Sequence, residues 1–215
     1  EESIEQVVTE MTEKYPNYDY VIINDGSRDH TSKICHKNGY NIVDLPVNLG
    51  LAGAFQTGLK FAYLHGYDYA IQIDADGQHD PQYIAPMIEK SEEGYDIVIG
   101  SRFETEKKPW SPRMLGSRMI GAAVKLTTGQ SLSDPTSGMR IYNRKMIQEF
   151  ANNINYGPEP DTVSFLLKQG VRVGSVQVTM KERMAGESYL SFGRSFIYML
   201  RMMLSILLIN NFRKR

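Results

Sequence analysis

Two carboxylates one residue apart, Asp74 and Asp76, close a short apolar run that begins at Tyr69. The whole stretch reads Tyr69-Ala70-Ile71-Gln72-Ile73-Asp74-Ala75-Asp76-Gly77-Gln78-His79-Asp80-Pro81. In an open α/β sheet, ligands gather beyond the carboxyl ends of the strands. A carboxylate pair there is a hard, oxygen-rich site suited to Mg²⁺ or Mn²⁺, ions that keep several waters and bridge to substrate phosphates. Gly77 lets the chain turn sharply, and Pro81 is placed to start a helix. A calcium loop of the EF-hand kind wants glycine sixth and glutamate twelfth. Here the glycine is fourth and the twelfth residue is Ala85, so that reading fails. An ordinary Asp/Gly turn after a strand is the alternative for this stretch taken alone.

The elements that must position such a pair follow in order. Ile4, Val7, Val8 and Met11 share a helical face, with Ser3 as the expected cap. A strand from Tyr20 ends in Asn24-Asp25-Gly26-Ser27-Arg28-Asp29, and a helix from Thr31 to Asn38 stops at Gly39. Asn41 to Leu45 is a second strand, and Asn48-Leu49-Gly50-Leu51-Ala52-Gly53 leads into a helix from about Ala52 to His65. After the carboxylate strand come a helix from Pro81 to about Glu92 and a strand from Tyr95 to Ile99, closing on Gly100-Ser101-Arg102-Phe103. Strand, loop and helix in repetition predict a doubly wound, mostly parallel α/β sheet. Its polar, Gly-rich loops are able to converge on one ligand.

Beyond Phe103 the pattern changes. Glu104 to Pro112 is charged and proline-bearing and is expected to be a mobile loop. Arg113 to Thr128 reads as a helix. Asp134-Pro135-Thr136-Ser137-Gly138-Met139-Arg140-Ile141-Tyr142 reads as a loop running into a strand, with a helix from Asn143 to Asn152. Gly157-Pro158-Glu159-Pro160-Asp161 precedes a helix to Lys168, and Gly170 to Thr179 alternates like a strand.

The bulk numbers exclude some classes. With 215 residues, 41% hydrophobic and 23% charged, the chain is ordinary globular protein with a sizeable core. A net charge of −1 gives no global reason to expect nucleic acid. The single cysteine, Cys35, rules out an internal disulfide framework and suits a reducing compartment. No signal peptide is visible, and the opening Glu1-Glu2-Ser3-Ile4 reads as the start of a piece of something slightly longer.

The tail differs again. Phe192 to Asn210 is strongly apolar but is interrupted by Arg194 and Arg201, leaving runs shorter than the ~20 residues a bilayer span needs. Phe196, Leu200, Met203, Leu204 and Leu207 share one helical face, and Arg213-Lys214-Arg215 closes the chain. A helix lying in a membrane interface fits this pattern, and so does a core helix or a dimer seam.

Taken together, Asn24-Asp25-Gly26-Ser27, Asn48-Leu49-Gly50, Asp74-Ala75-Asp76-Gly77-Gln78-His79-Asp80-Pro81, Gly100-Ser101-Arg102-Phe103 and Asp134-Pro135-Thr136-Ser137-Gly138-Met139-Arg140 resemble family 2 glycosyltransferases. Within that GT-A family the chain is most similar to dolichyl-phosphate mannose synthase and bacterial polyprenyl-phosphate sugar transferases. The resemblance implies a GT-A domain over 1–190, followed by an amphipathic segment over 191–215. It implies an inverting transfer from a nucleotide-diphosphate sugar of UDP, GDP or dTDP type, with Mg²⁺ or Mn²⁺ on the diphosphate. The acceptor would be lipid-linked or a polyprenyl phosphate, in cell-envelope polysaccharide or glycolipid synthesis. The protein would then be cytoplasmic and peripheral at the inner face of the cell membrane, with a homodimer open and no nucleic acid partner.

By position, the resemblance implies that Asp25 contacts the nucleotide base or ribose and that Gly26, Ser27, Asn48 and Gly50 also bind substrate. Asp74 lies near ribose and metal, and Asp76 and Gln78 coordinate the metal. Arg102, Arg118 and Arg183 would face diphosphate or acceptor phosphate, Ser188 would bind substrate, and Asp134 would stand at the sugar–acceptor end. The chemistry is consistent with this, because a metal and arginines stabilise a leaving diphosphate without a proton donor. Arginine also matches phosphate with a planar fork of donors. An acceptor hydroxyl would need a general base, for which Asp134 is the first candidate and Glu159 or Asp161 the next.

Two departures from the family pattern stand out. Its opening strand is missing, with Glu1-Glu2 the only remnant, and Ser188 is followed by Tyr189 where the polyprenyl subgroup has lysine. The second departure leaves a lipid-linked or free saccharide acceptor open. A sugar nucleotidyltransferase and a non-catalytic sugar-nucleotide-binding subunit are the rival readings. The first would carry a Gly-rich, basic loop after its first strand, and the intact Asp74/Asp76 pair speaks against the second.

Overall fold

Short, largely apolar runs ending in polar residues form the strands, and the amphipathic runs between them form helices on both faces. The structure is a computed structural model that describes residues 1–153, 157–182 and 192–208, less the side chains of 112, 113 and 192–196. In chain order, α1 (Ile4–Lys14) leads to β1 (Ile22–Asn24), α2 (Thr31–Lys37), β2 (Ile42–Asp44), α3 (Gly50–Leu64) and β3 (Tyr69–Gln72). A 3₁₀ turn over Pro81–Tyr83 opens α4 (Ile84–Glu92). Then come β4 (Ile97–Ser101), α5 (Pro112–Thr128), β5 (Arg140–Asn143), α6 (Arg144–Asn152), α7 (Pro160–Lys168), β6 (Val173–Gln177) and α8 (Phe192–Leu207).

Strands β3, β5, β4 and β6 form one sheet in that spatial order. β4 and β6 are parallel, whereas β5 runs antiparallel to both β3 and β4, with Gln72 opposite Arg140. The reversal follows from the path of the chain. The segment before β5 stays at the carboxyl end of β4, where Gly100 N–H donates to Met139 O at 2.9 Å. The chain therefore re-enters the sheet from that end.

All five residues of β4 are buried because helices cover both of its faces. On one face Ile97 and Ile99 pack with Phe55 and Leu59 of α3, Phe150 of α6 and Phe165 of α7. Phe55, Tyr142 and Phe150 meet edge to face, with ring centroids 5.0–5.3 Å apart. On the other face Val98 packs with Met87, Met139, Ile141 and Val178.

β1 and β2 pair parallel as a separate small sheet. Between β1 and β3 lies a cavity of about 670 Å³, lined by Val8, Met11, Ile23, Leu59, Ile71 and Ile141 among others. The loops after β1 and β3 are therefore carried by two sheets that share no ladder among the described residues. Helix α1 ties them together. The expected Ser3 cap makes no side-chain capping bond, and its hydroxyl instead donates to Ala75 O, 2.6 Å away in the carboxylate loop. Under α1, Ile4 and Val8 enclose Cys35, which is fully buried. Burial raises the pKa of that thiol.

α8 rests on α5 and α7. Met202 and Ile206 pack with Ile120 and Val124 of α5, while Ile197, Leu200, Leu204 and Leu208 face outward. Leu115, Met119 and Leu126 extend that exposed apolar face onto α5. Among the described residues, no helix is long and apolar enough to cross a membrane.

Candidate active site

The carboxylate loop is built by its own polar groups. Gly77 adopts a φ of 77°, a conformation that L side chains rarely take, and Asp76 Oδ1 accepts from Gln78 N–H at 3.0 Å. His79 is buried, and its Nδ1 accepts from Asp74 N–H at 2.9 Å, so this neutral ring carries its proton on Nε2. Burial holds its pKa below the usual imidazole value. Asp80 caps the next turn through Gln82 N–H at 3.0 Å. Lys181 clamps the loop from outside: its N–H donates to Gln78 O at 2.9 Å, and its Nζ pairs with Glu10 at 2.8 Å and Asp80 at 3.2 Å.

The loops after β1 and β2 are clasped to each other. Asp25 Oδ1 accepts from Leu49 N–H at 2.6 Å, and Asn48 Nδ2 donates to Asp25 O at 2.7 Å. Asn24 Oδ1 accepts from Ser27 N–H at 3.1 Å, and Asn48 Oδ1 from Gly50 N–H at 3.2 Å. Gly26 combines a φ of 66° with a close approach, since a Cβ there would stand 2.9 Å from Asn48 N. These five sequence-derived positions thus form one surface. The loop before β5 closes on the carboxylates, because a Cβ on Gly138 would come within 3.1 Å of Asp74 Oδ2.

Asp134 is placed differently from the expectation of a free base. Its side chain has 0% exposure, and Arg102 grips both oxygens, with Nε to Oδ2 at 2.6 Å and Nη2 to Oδ1 at 3.0 Å. Thr136 adds a donor at 3.2 Å. A carboxylate this fully engaged orients Arg102 rather than collecting a proton. The other two base candidates turn toward α8. Glu159 accepts from the Tyr198 hydroxyl and Asp161 from Ser205 Oγ at 2.7 Å, so both serve to seat that helix. Burial and then Glu159 push the Tyr198 pKa far above its usual value.

The loop over 104–112 is tethered rather than loose. Glu104 and Thr105 N–H groups donate to Gln177 Oε1, and Arg118 donates to the carbonyls of Lys108 at 2.6 Å and Pro109 at 3.3 Å. Arg118 also stacks over Trp110, 4.7 Å from the ring centroid. Sequence reasoning missed Lys108. It is half-buried, donates to Ser117 Oγ at 3.0 Å and lies 5.5 Å from the Phe103 ring centroid. Burial lowers its pKa, and Arg102 and Arg118 lower it further by repulsion. His79 and Lys181 were also missed, although His79 was visible in the Gln-His pair. Arg183 and Ser188 lie outside the described residues.

No group of three His, Cys, Asp or Glu suited to hold a metal occurs among the described residues. Asp74 and Asp76 with the Gln78 amide nevertheless fit an ion that completes its shell with water and diphosphate oxygens. The family model for glycosyl transferase family 2 matches residues 1–150. The chain belongs to that family. This glycosyltransferase is 27% identical over 205 residues to the undecaprenyl-phosphate mannosyltransferase of Micrococcus luteus, covering 89% of this chain and 84% of that protein. It is 24% identical over 204 residues to the polyprenol monophosphomannose synthase of Mycolicibacterium smegmatis, covering 88% and 77%. Glucosyl-3-phosphoglycerate synthase from Mycobacterium tuberculosis, in complex with Mn²⁺ and UDP-glucose, shares the fold. Its TM-score is 0.67 at 18% identity, over 95% of this chain and 74% of that one. Family membership sets aside the nucleotidyltransferase and non-catalytic readings and establishes the GT-A α/β architecture of the enzyme.

Proposed function

We propose that the enzyme transfers a sugar from a nucleotide-diphosphate sugar to a polyprenyl phosphate, with inversion at the anomeric carbon. One observation carries the choice of acceptor. Lys108 lies within electrostatic reach of Arg102, Arg118 and Asp134, the carboxylate that Arg102 already occupies, while Glu159 and Asp161 turn to α8. A hydroxyl acceptor needs a base, and none of the three candidates stands free for it. A phosphate acceptor arrives as an anion, needs no base, and is drawn to those cations. The two polyprenyl-phosphate relatives support the same reading.

In this scheme a phosphate oxygen of the acceptor attacks the anomeric carbon opposite the leaving diphosphate, whose bond to the sugar breaks. The loops around Asp25 and Asn48 hold the nucleotide, and Arg102, Lys108 and Arg118 orient the acceptor phosphate. Asp74, Asp76 and Gln78 would hold Mg²⁺ or Mn²⁺, which supplies positive charge against the departing diphosphate. The test incubates the enzyme and Mn²⁺ with UDP-, GDP- and dTDP-sugars, offering undecaprenyl phosphate or free saccharides as acceptor. Glycosyl phosphoprenol is the expected product. Transfer to free saccharides alone would overturn the assignment.

The exposed apolar face of α5 and α8 is read as the surface that meets the lipid, at the inner face of the cell membrane. Trp110 stands 87% exposed beside it, and Arg201 is exposed on α8. Replacing Leu200 and Leu204 by glutamate removes two apolar contacts without touching the buried face. Flotation with anionic vesicles is expected to drop about tenfold or more, since each buried leucine contributes roughly 1.5–3 kcal/mol. Unchanged flotation of that variant, with self-association lost instead, would identify the face as a dimer seam.

A further inference from the structure

Arg140 poses a physical problem that the proposed chemistry does not use. It is the first residue of β5, opposite Gln72 and Ile99, with 1% of its surface exposed. Among the described residues no carboxylate pairs with it, and its Nη1 has no hydrogen-bond partner. The Tyr142 hydroxyl lies beside the guanidinium but makes no well-formed hydrogen bond with it. A buried charge without a counter-ion costs several kcal/mol even after relaxation, so an apolar residue would suit the sheet better. The arginine must do something that an apolar residue cannot.

Its two remaining contacts show what that is. Nη2 donates to Pro135 O at 2.9 Å and Nε to Ser137 O at 3.0 Å. Both carbonyls belong to the turn that follows Asp134, and the rigid, planar guanidinium fork holds the two at once in a fixed geometry. The same turn is closed by Ser137 N–H to Asp134 O at 3.2 Å and by Ser137 Oγ to Gly100 O at 2.5 Å. Asp134 in turn holds the Arg102 guanidinium bidentately. We infer that Arg140 is a positioning residue that fixes the 134–137 turn from beneath and, through Asp134, sets the orientation of the Arg102 guanidinium. The inference rests on the proposed phosphate-facing role of Arg102 for its purpose, but its geometry can be tested without any substrate.

The readout is the Arg102 Nε–H resonance, assigned by its loss in Arg102→Lys, and its hydrogen-exchange rate. Arg140→Lys keeps the charge and loses the fork, and Arg140→Met keeps the volume and removes the buried charge. Each variant that folds, judged by circular dichroism, is expected to exchange this proton about tenfold faster or more. Arg144→Lys, altering an exposed arginine, is expected to leave it unchanged. A merely structural role lowers the melting temperature and leaves the Arg102 proton alone. Unchanged exchange in a folded variant overturns the inference, and so does failure of both variants to fold. Loss of transfer by the wild-type protein with every acceptor would instead overturn the functional reading and leave this result standing.

Discussion

Asp76→Asn is expected to abolish sugar transfer while the protein stays folded. The carboxylate sits in the turn after β3, where it organises Gln78 N–H, and Asn retains an oxygen for that bond. What Asn lacks is charge. A divalent ion between carboxylate and diphosphate stabilises the leaving group by several kcal/mol, so losing it lowers the rate on the order of 10³-fold. Donor binding should weaken in the same variant, as read by the thermal shift a UDP- or GDP-sugar induces in the presence of Mn²⁺. Excess EDTA should reproduce the defect in the wild type. Full activity in EDTA would rule out a metal role for the pair.

Arg102→Ala should be the more damaging change to stability. Asp134 is wholly buried, and Arg102 supplies the fork that satisfies it. Removing one partner of a buried ion pair strands the other charge and costs about 3–5 kcal/mol. Chemical denaturation should show that loss together with near-complete loss of transfer. Asp134→Asn separates orientation from proton transfer. It should reduce turnover on the order of 10²-fold with donor affinity little changed. Because Asp134 is placed as an anchor and not as a base, the shape of the pH–rate profile should match the wild type. An acidic limb that disappears with Asp134→Asn would restore the base assignment.

Much of the fold could be read from local pattern. The strands are short, largely apolar runs that end in polar residues, and the helices between them begin and end within a few residues of their expected bounds. The direction of β5 could not be read this way. Nothing in Arg140-Ile141-Tyr142 says that the preceding loop stays at the carboxyl end of β4. The site shows the same division. Asp74 and Asp76 are a local feature of spacing, visible in one stretch, whereas Asp25 and Asn48 entered through the resemblance, and the clasp between their two loops shows only in the structure. The fate of Asp134 depends on Arg102, 32 residues away in sequence. Likewise Glu159 and Asp161 are spoken for by Tyr198 and Ser205 on a helix that follows much later. Pattern alone would leave Arg140, a charged residue in a strand, facing water. Only the packed structure shows that it does not.

The lone cysteine gives the experimenter a clock. Cys35 is sealed under α1, in the layer that carries β1 and β2, on the far side of the cavity from the main sheet. No other thiol exists in the chain to add background. An alkylating reagent can reach this one only when that layer opens, so its rate of modification reports the free energy of the easiest opening that exposes the thiol. Slowing of the same reaction by a bound nucleotide would report, in minutes at the bench, how firmly the ligand staples the two sheets together.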